Sequence, residues 1–167
     1  NHVVRELVSK NISTTCIIRK RKEHLAWFNK VDIVHHDIYK QKPDLKKFGN
    51  PDILIHLAWS GLPNYESDHH VKQNLPGDKL FLKSLISQGL KNLIVTGTCF
   101  EFGKKYGPLS PTTPTLPENP YAVAKDELRK WLTNLSKSKS FNFKWVRLFY
   151  MYGDGQAGNS VISQLIK

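Results

Sequence analysis

The residues best suited to chemistry in this sequence are a tyrosine and a lysine four positions apart, Tyr121 and Lys125, in the run NPYAVAK. On a helix, residues at this spacing are neighbours on one face. An ammonium beside a phenol favours the phenolate, so Lys125 is expected to lower the pKa of Tyr121 from its reference value of about 10 towards a value useful for proton transfer. The spacing alone is weak evidence, because ordinary helices also place a core-edge Tyr beside a solvated Lys.

Thr98 adds a second hydroxyl to this pair. It ends a predicted strand upstream of the helix, where its hydroxyl could hydrogen-bond the same substrate oxygen that Tyr121 protonates. Alone, Thr98 would be an ordinary strand-end residue. The order is more specific: a strand ending in Thr98, a loop, a helix beginning Pro-Tyr-x-x-x-Lys, and a strand that enters the run RLFY at 147–150.

The elements that must position these residues alternate along the chain. Runs rich in branched or aromatic residues predict strands at 13–19, 31–36, 52–59, 92–98 and 143–150. Helical spacing predicts the tail of an amphipathic helix over 3–11, a helix over 68–89 and a helix over 119–136. This alternation predicts an α/β fold, a doubly wound, Rossmann-like parallel sheet that binds ligands at the carboxyl ends of its strands.

Composition is that of one α/β domain. The 167 residues suit a single core, and no run approaches the roughly 18 apolar residues that a membrane span needs. Cys16 lies in a predicted strand and Cys99 at the end of another, far from it in sequence. We therefore expect no disulfide framework and a reducing, cytoplasmic location. The net charge of +11 is spread over several segments without interleaved aromatic residues, which favours a phosphorylated small-molecule partner, or a merely Lys-rich composition, over a nucleic-acid site.

Several ordered motifs resemble those of the extended short-chain dehydrogenase/reductases, specifically the NAD(P)-dependent sugar-nucleotide epimerase/dehydratase/reductase group. The resemblance covers residue 2 to the end. It rests on HLAW at 56–59, NLPGD at 74–78 for the family's N-x-x-G-T, TGTCFEFG at 96–103, NPYAVAK at 119–125 and RLFYMYG at 147–153.

The resemblance implies roles for the chemical residues. Thr98 would orient the substrate carbonyl, Tyr121 would be the general acid/base, and Lys125 would tune Tyr121 and hold the cofactor ribose. The other residues implied to contact the cofactor are Asp37 and Ile38 at the adenine, Leu57, Ala58 and Trp59 along its length, Asn74 in the same crevice, and Phe149 and Tyr150 near the nicotinamide. Without the resemblance, Asp37 would equally be a turn-forming residue and Asn74 a helix-surface residue.

The chain departs from the family at its ends and at one strand. The family's G-x-x-G-x-x-G turn is not in the sequence, so we expect the first strand and that turn to be missing from this chain, with a substrate-binding domain beginning near 154–167. Enzymes that choose NAD usually have an acidic residue at the end of the family's second strand, which corresponds to the predicted strand at 13–19 of this chain. Here Arg19 and Arg21 stand at that end. Guanidinium groups suit the 2′-phosphate of NADP, so NADP is favoured, with NAD as the alternative and a solvated basic turn as the non-functional reading.

The residues after Thr98 narrow the reaction that the resemblance implies. Relatives that dehydrate sugars have Asp-Glu there, and those that epimerise through a cysteine have it two places on, whereas this chain has Cys99 and Phe100. The expected reaction is reduction of the 4-keto group of a nucleoside-diphosphate deoxysugar, with 4-epimerisation as the alternative. A bacterial surface-polysaccharide pathway and a homodimer formed through two long helices are also implied.

Two other classes of function compete with this enzyme. A relative that binds a dinucleotide without catalysis is one, and a basic nucleic-acid-binding domain is the other. The adjacent histidine pairs do not face each other on a strand or helix, so we predict no metal site. The residues of those pairs are His35 and His36, and His69 and His70.

Overall fold

The protein is described here by a computed structural model, which covers residues 2–19, 27–153, 155, 158 and 161–165. The helices of this part are α1 (His2–Ser9), α2 (Leu75–Ser87), α3 (Pro120–Ser138) and α4 (Val161–Leu165). The strands are β1 (Thr15–Ile18), β2 (Asp32–His35), β3 (Ile53–His56), β4 (Asn92–Thr98) and β5 (Asn142–Leu148). β4 matches its predicted bounds, whereas the other strands end earlier than predicted. At β3, residues 57–59 leave the sheet after His56.

All paired strands run parallel, as predicted. β1 pairs with β2, from Thr15 opposite Asp32 to Ile18 opposite His35. β3, β4 and β5 form a second sheet with β4 in the centre. Parallel strands within a sheet end at the same edge, so the carboxyl end of β4 lies beside those of β3 and β5.

The ends of the two long helices confirm the capping signals in the sequence. The Asn119 side chain accepts a hydrogen bond from the Ala122 N–H at 2.9 Å, and Pro120 is the first residue of α3. Gly89 follows α2 with a φ of 112°, and the Leu90 N–H donates to the Leu85 carbonyl at 3.1 Å, as in a Schellman motif. The N-cap at Asn119 places the catalytic candidates of α3 in its first two turns.

The predicted helix over 68–89 is divided into two parts. A π-helical turn at His70–Asn74 precedes α2. Pro76 explains the division, because it has no N–H to donate and its ring excludes the carbonyl four residues earlier. The wider π turn also rotates the preceding face, so Val71, which the spacing predicted to face inward, is 37% exposed.

The core lies between the two long helices and the sheet of β3, β4 and β5. α2 and α3 pack against each other, and α3 also packs against β4 and β5. The fully buried side chains of the core include Leu82 and Leu85 of α2, Leu93 of β4, and Leu128 and Leu132 of α3. This packing fixes the start of α3 against the end of β4.

Candidate active site

Thr98, Tyr121 and Lys125 meet where β4 ends and α3 begins. Their side chains lie almost completely out of solvent, with exposed fractions of 7%, 8% and 2%. Thr98 caps a 3-10 turn at Cys99–Phe102, and its hydroxyl accepts a hydrogen bond from the Phe100 N–H at 3.3 Å. The same hydroxyl also hydrogen-bonds the Tyr121 side chain, so a ligand oxygen that binds both hydroxyls replaces that bond. The structure therefore brings together the three residues that the sequence assigned to chemistry.

Tyr121 lies in an aromatic enclosure. Its ring centroid is 6.0 Å from that of Trp59, 5.4 Å from those of Tyr65 and His70, and 6.5 Å from that of Phe100. Its backbone N–H donates to the Tyr65 carbonyl at 3.1 Å. These contacts hold the ring in one place while leaving the phenol beside Thr98.

The phenol of Tyr121 is held in its neutral form. Burial raises its pKa above the usual value, a hydrogen bond with the Thr98 side chain opposes the rise, and the nearby Tyr65 and Glu101 add to it. The expectation that Lys125 lowers this pKa is wrong for this structure. Burial outweighs any effect of the ammonium, whose observed partners lie elsewhere.

Lys125 is a buried cation with two close partners. Its Nζ donates to the Thr96 carbonyl at 2.9 Å and lies 3.9 Å from the centre of the Trp59 ring. Burial lowers the pKa of Lys125 to about 8, while the carboxylates of Asp78 and Glu101 act in the opposite direction. An ammonium has three donors, and one is used by Thr96, so Lys125 suits the hydroxyls of a ribose.

Asn74, which the sequence left open as a surface residue, is fully buried and ties the segment after β3 to α2. Its amide donates to the Ser60 carbonyl at 2.9 Å and accepts from the Ser60 hydroxyl at 2.7 Å. His70 Nε2 donates to the Asn64 carbonyl at 2.7 Å, which assigns Nδ1 as the acceptor from the Trp59 N–H at 3.0 Å. This chain of hydrogen bonds orients Trp59 against Lys125 and Tyr121.

Asn74→Leu should destabilise the full-length protein by about 2–3 kcal/mol, because half-buried Ser60 loses both its bonds to Asn74 and buried His70 loses the Asn74 amide, which lies 3.3 Å from its Nδ1. The midpoint of urea unfolding, followed by tryptophan fluorescence, measures the change. Gln73→Leu, at an exposed position one residue away, is the control and should change stability by less than about 0.5 kcal/mol. Equal effects of the two substitutions would contradict the assigned role.

The other residues implied to bind cofactor lie along the carboxyl ends of their strands. Leu57 and Ala58 are exposed after β3, next to Trp59. Phe149 and Tyr150 are exposed after β5, with the Phe149 ring 6.3 Å from that of Phe102. None of these placements includes a contact with Tyr121, so their roles stay predictions.

The remaining residues implied to bind the cofactor follow β1 and β2. Asp37 has the turn-forming role, since its carboxylate accepts from the Tyr39 N–H at 3.0 Å. Ile38 packs against the core. Arg19 is exposed directly after β1, and Arg21 is outside the described residues. Contact of Asp37 and Ile38 with an adenine and of the arginines with a phosphate stays a prediction.

Two buried carboxylates that raise the pKa of Lys125 were missed by the sequence reasoning. Asp78, fully buried in α2, lies 3.4 Å from His56 Nε2, and within the described part of the chain neither of its carboxylate oxygens has a hydrogen-bond partner. Its signal was the departure NLPGD from N-x-x-G-T. Glu101 had a clearer signal, since Thr98-x-x-Glu101 is a capping-box pattern, and both bonds of the box form.

A parallel α/β domain with Thr98, Tyr121 and Lys125 buried together at the carboxyl end of a strand is that of a short-chain dehydrogenase/reductase. The chain belongs to the NAD dependent epimerase/dehydratase family, which it matches over residues 1–167. It is 31% identical over 171 residues to a dTDP-6-deoxy-L-talose 4-dehydrogenase (NAD(+)) of Aggregatibacter actinomycetemcomitans. The match covers 99% of this chain and 62% of that relative.

Solved structures share the fold. An NAD-dependent NDP-hexosamine 5,6-dehydratase of tunicamycin biosynthesis superposes with a TM-score of 0.80 at 20% identity, over 98% of this chain and 55% of that one. A UDP-glucuronic acid 4-epimerase from Bacillus cereus in complex with NAD gives a TM-score of 0.80 at 21% identity, over 99% and 57%. The predicted Rossmann-like class is confirmed. Among the described helices, none has the length and apolar character needed to cross a bilayer.

Proposed function

We propose that this protein reduces the 4-keto group of a nucleoside-diphosphate deoxysugar. The observation that carries the proposal is the meeting of a neutral phenol, Tyr121, with the Thr98 hydroxyl beside the buried ammonium of Lys125. Two hydroxyls at one point can bind one carbonyl oxygen, which is the arrangement that carbonyl reduction requires. A non-catalytic dinucleotide-binding protein could use Lys125 for the ribose, but it would have no need of the two hydroxyls of Thr98 and Tyr121 at one point.

The residues present fit a nicotinamide dinucleotide. Lys125 has donors left for ribose hydroxyls, and Leu57 and Ala58 present an exposed apolar turn beside Trp59 for the length of the cofactor. When bound, the cofactor supplies the hydride that reaches the carbonyl carbon. NAD stands in the name of the Aggregatibacter relative and in that of the Bacillus cereus complex. Arg19, directly after β1, supports NADP instead. The test below compares the two cofactors.

In the proposed step, Tyr121 gives its phenolic proton to the carbonyl oxygen as the hydride reaches the carbonyl carbon, so the ketone becomes an alcohol. The raised pKa of Tyr121 keeps the phenol protonated before the step, as a general acid requires. Thr98 donates a hydrogen bond to the same oxygen and fixes its direction. The aromatic rings around Tyr121 exclude water from the phenol.

Reaction at C4 is supported by the relative in Aggregatibacter actinomycetemcomitans, whose name gives a 4-dehydrogenase of a 6-deoxy sugar. Cys99 and Phe100 stand where the sequence comparison placed the acid pair of sugar dehydratases. Neither side chain carries a carboxylate, so loss of water across two carbons lacks its acid and base.

The test is oxidation of NADH or NADPH by the full-length protein with a panel of 4-keto nucleotide sugars, followed by the loss of reduced-nicotinamide absorbance. Steady turnover with a 4-keto sugar is the expected result, and the ratio of kcat/KM for the two cofactors decides between NAD and NADP. Interconversion of 4-hydroxyl epimers without net oxidation of the cofactor would assign a 4-epimerase instead.

A further inference from the structure

Glu101 is a fully buried carboxylate three residues after Thr98. One of its oxygens, Oε1, accepts a hydrogen bond from the backbone N–H of Thr98 at 2.9 Å. The Trp145 N–H also reaches this carboxylate, at 2.9 and 3.1 Å from its two oxygens. Arg147 Nε donates to Oε2 at 2.8 Å, and Arg129 Nε lies 3.5 Å from the same oxygen. Glu101 thus binds both neutral and charged donors.

These partners come from three elements, of which β4 and α3 carry the candidate catalytic groups, and the contact from α3 is the ion pair of Arg129. Thr98 ends β4, Trp145 and Arg147 belong to β5, and Arg129 belongs to α3, two turns after Tyr121. A single carboxylate therefore joins the element of the Thr98 hydroxyl to the element of the Tyr121 phenol. Its position fixes one relative to the other.

We propose that Glu101 is a positioning residue that sets the Thr98 hydroxyl against the Tyr121 phenol by tying the end of β4 to α3 and β5. The inference rests on the proposed reduction. It assigns to Glu101 no contact with substrate or cofactor.

The local backbone is built to admit this carboxylate. Gly97 precedes Thr98 on β4, and a Cβ there would overlap both the Trp145 indole N–H and Glu101 Oε1. The Arg147 guanidinium is also held from its other side, 4.6 Å from the centre of the Phe102 ring. A partner fixed on two sides gives Glu101 little freedom to move, as accurate placement of Thr98 requires.

The charge of Glu101 also reaches the two titrating groups. Burial is the main cause of the raised pKa of Tyr121, and the hydrogen bond of Thr98 opposes it; Glu101 adds to the rise after Tyr65 and before Cys99. It raises the pKa of Lys125 together with Asp78, against the dominant lowering by burial. Removing the charge should therefore lower the pKa of both groups, an effect that a residue with only a packing role would not have.

The test substitution is Glu101→Gln in the full-length protein, assayed with the 4-keto sugar and reduced cofactor that the wild type turns over. We expect kcat to fall by about 100-fold, the loss typical of a small misplacement of catalytic groups, with KM changed by less than about threefold. Activity should also be lost at a lower pH on the alkaline side, where Tyr121 ionises. Asp126→Asn is the control, because Asp126 is also buried and pairs with Arg129 at 2.6 Å but is not among the groups that shift the pKa of Tyr121 or Lys125; it should leave the pH profile unchanged.

A second readout does not depend on turnover. The ionisation of Tyr121 is measured by ultraviolet difference absorbance during a pH titration. The titration of Tyr121→Phe is subtracted from that of the wild type, and the titration of the double variant Glu101→Gln/Tyr121→Phe is subtracted from that of Glu101→Gln. A lower pKa of Tyr121 in Glu101→Gln supports the inference even if no 4-keto sugar is reduced. Failure to reduce any 4-keto sugar would contradict the proposed function but not the inference. An unchanged kcat, or an unchanged Tyr121 titration, overturns the inference while leaving the proposed function standing.

A variant that keeps the charge covers the case in which Glu101→Gln does not fold. Trp145→Phe deletes one hydrogen bond to Glu101 and leaves both arginines in place. A kcat several-fold below that of the wild type, with the Tyr121 titration unchanged, is expected. A wild-type kcat in this variant would count against a positioning role.

Discussion

Tyr121→Phe should lower kcat of the full-length protein by about 100- to 10,000-fold, with KM for the 4-keto sugar changed little. The substitution keeps the ring and its contacts with Trp59, Tyr65 and His70 but removes the only proton that the proposed step uses. General acid catalysis by a positioned side chain contributes a factor of about 10²–10⁴. Initial rates of cofactor oxidation across a range of substrate concentrations separate kcat from KM.

Tyr65→Phe is the matched control for this experiment. Its ring centroid lies 5.4 Å from that of Tyr121, and it removes a phenolic hydroxyl from the same enclosure without removing the proposed acid. We expect kcat within about threefold of the wild type, since no step requires the Tyr65 proton. If Tyr65→Phe lost activity and Tyr121→Phe kept it, the roles would have to be exchanged.

Features set by neighbouring residues could be predicted from the sequence. The start of α3 follows from Asn119 and Pro120, and the end of α2 follows from Gly89, because capping depends on residues within one helical turn. The same locality made Tyr121 and Lys125 recognisable as one helix face. The parallel sheets followed from the alternation of strands and helices.

Features set by partners distant in sequence could not be predicted. Glu101 meets Trp145 and Arg147, which are 44 and 46 residues away in sequence, and no local pattern announces such a pairing. The Lys125 side chain is directed by Trp59 and the Thr96 carbonyl. The spacing to Tyr121 therefore predicted correctly that the two residues share a site, but predicted the wrong direction for the pKa shift of Tyr121. The sequence order of residues predicts which groups share a site, whereas their pKa values depend on burial.

Lys125→Met should stabilise the protein at neutral pH while removing its activity. Methionine fills a similar volume without the charge whose burial lowers the pKa of Lys125 to about 8 from 10.5. The difference corresponds to about 3 kcal/mol of unfavourable free energy in the folded state. Loss of the Thr96 hydrogen bond and of the Trp59 contact reduces the gain, so an increase of about 1–3 kcal/mol is expected at pH 7. Cofactor binding should weaken, because the donors proposed for the ribose are gone.

The pH dependence gives this prediction its sign. Because the folded-state pKa of Lys125 lies below the unfolded value, the unfolded chain holds the extra proton between about pH 8 and pH 10.5, and wild-type stability rises with pH in that window. Below pH 8 the full cost is present, so the advantage of Lys125→Met is largest there and shrinks above it. Urea unfolding of both proteins from pH 7 to pH 10 measures the trend, with the exposed Lys137→Met on the same helix as control. A stability difference that stayed constant with pH would show that Lys125 is already neutral, or ordinarily solvated, in the folded protein.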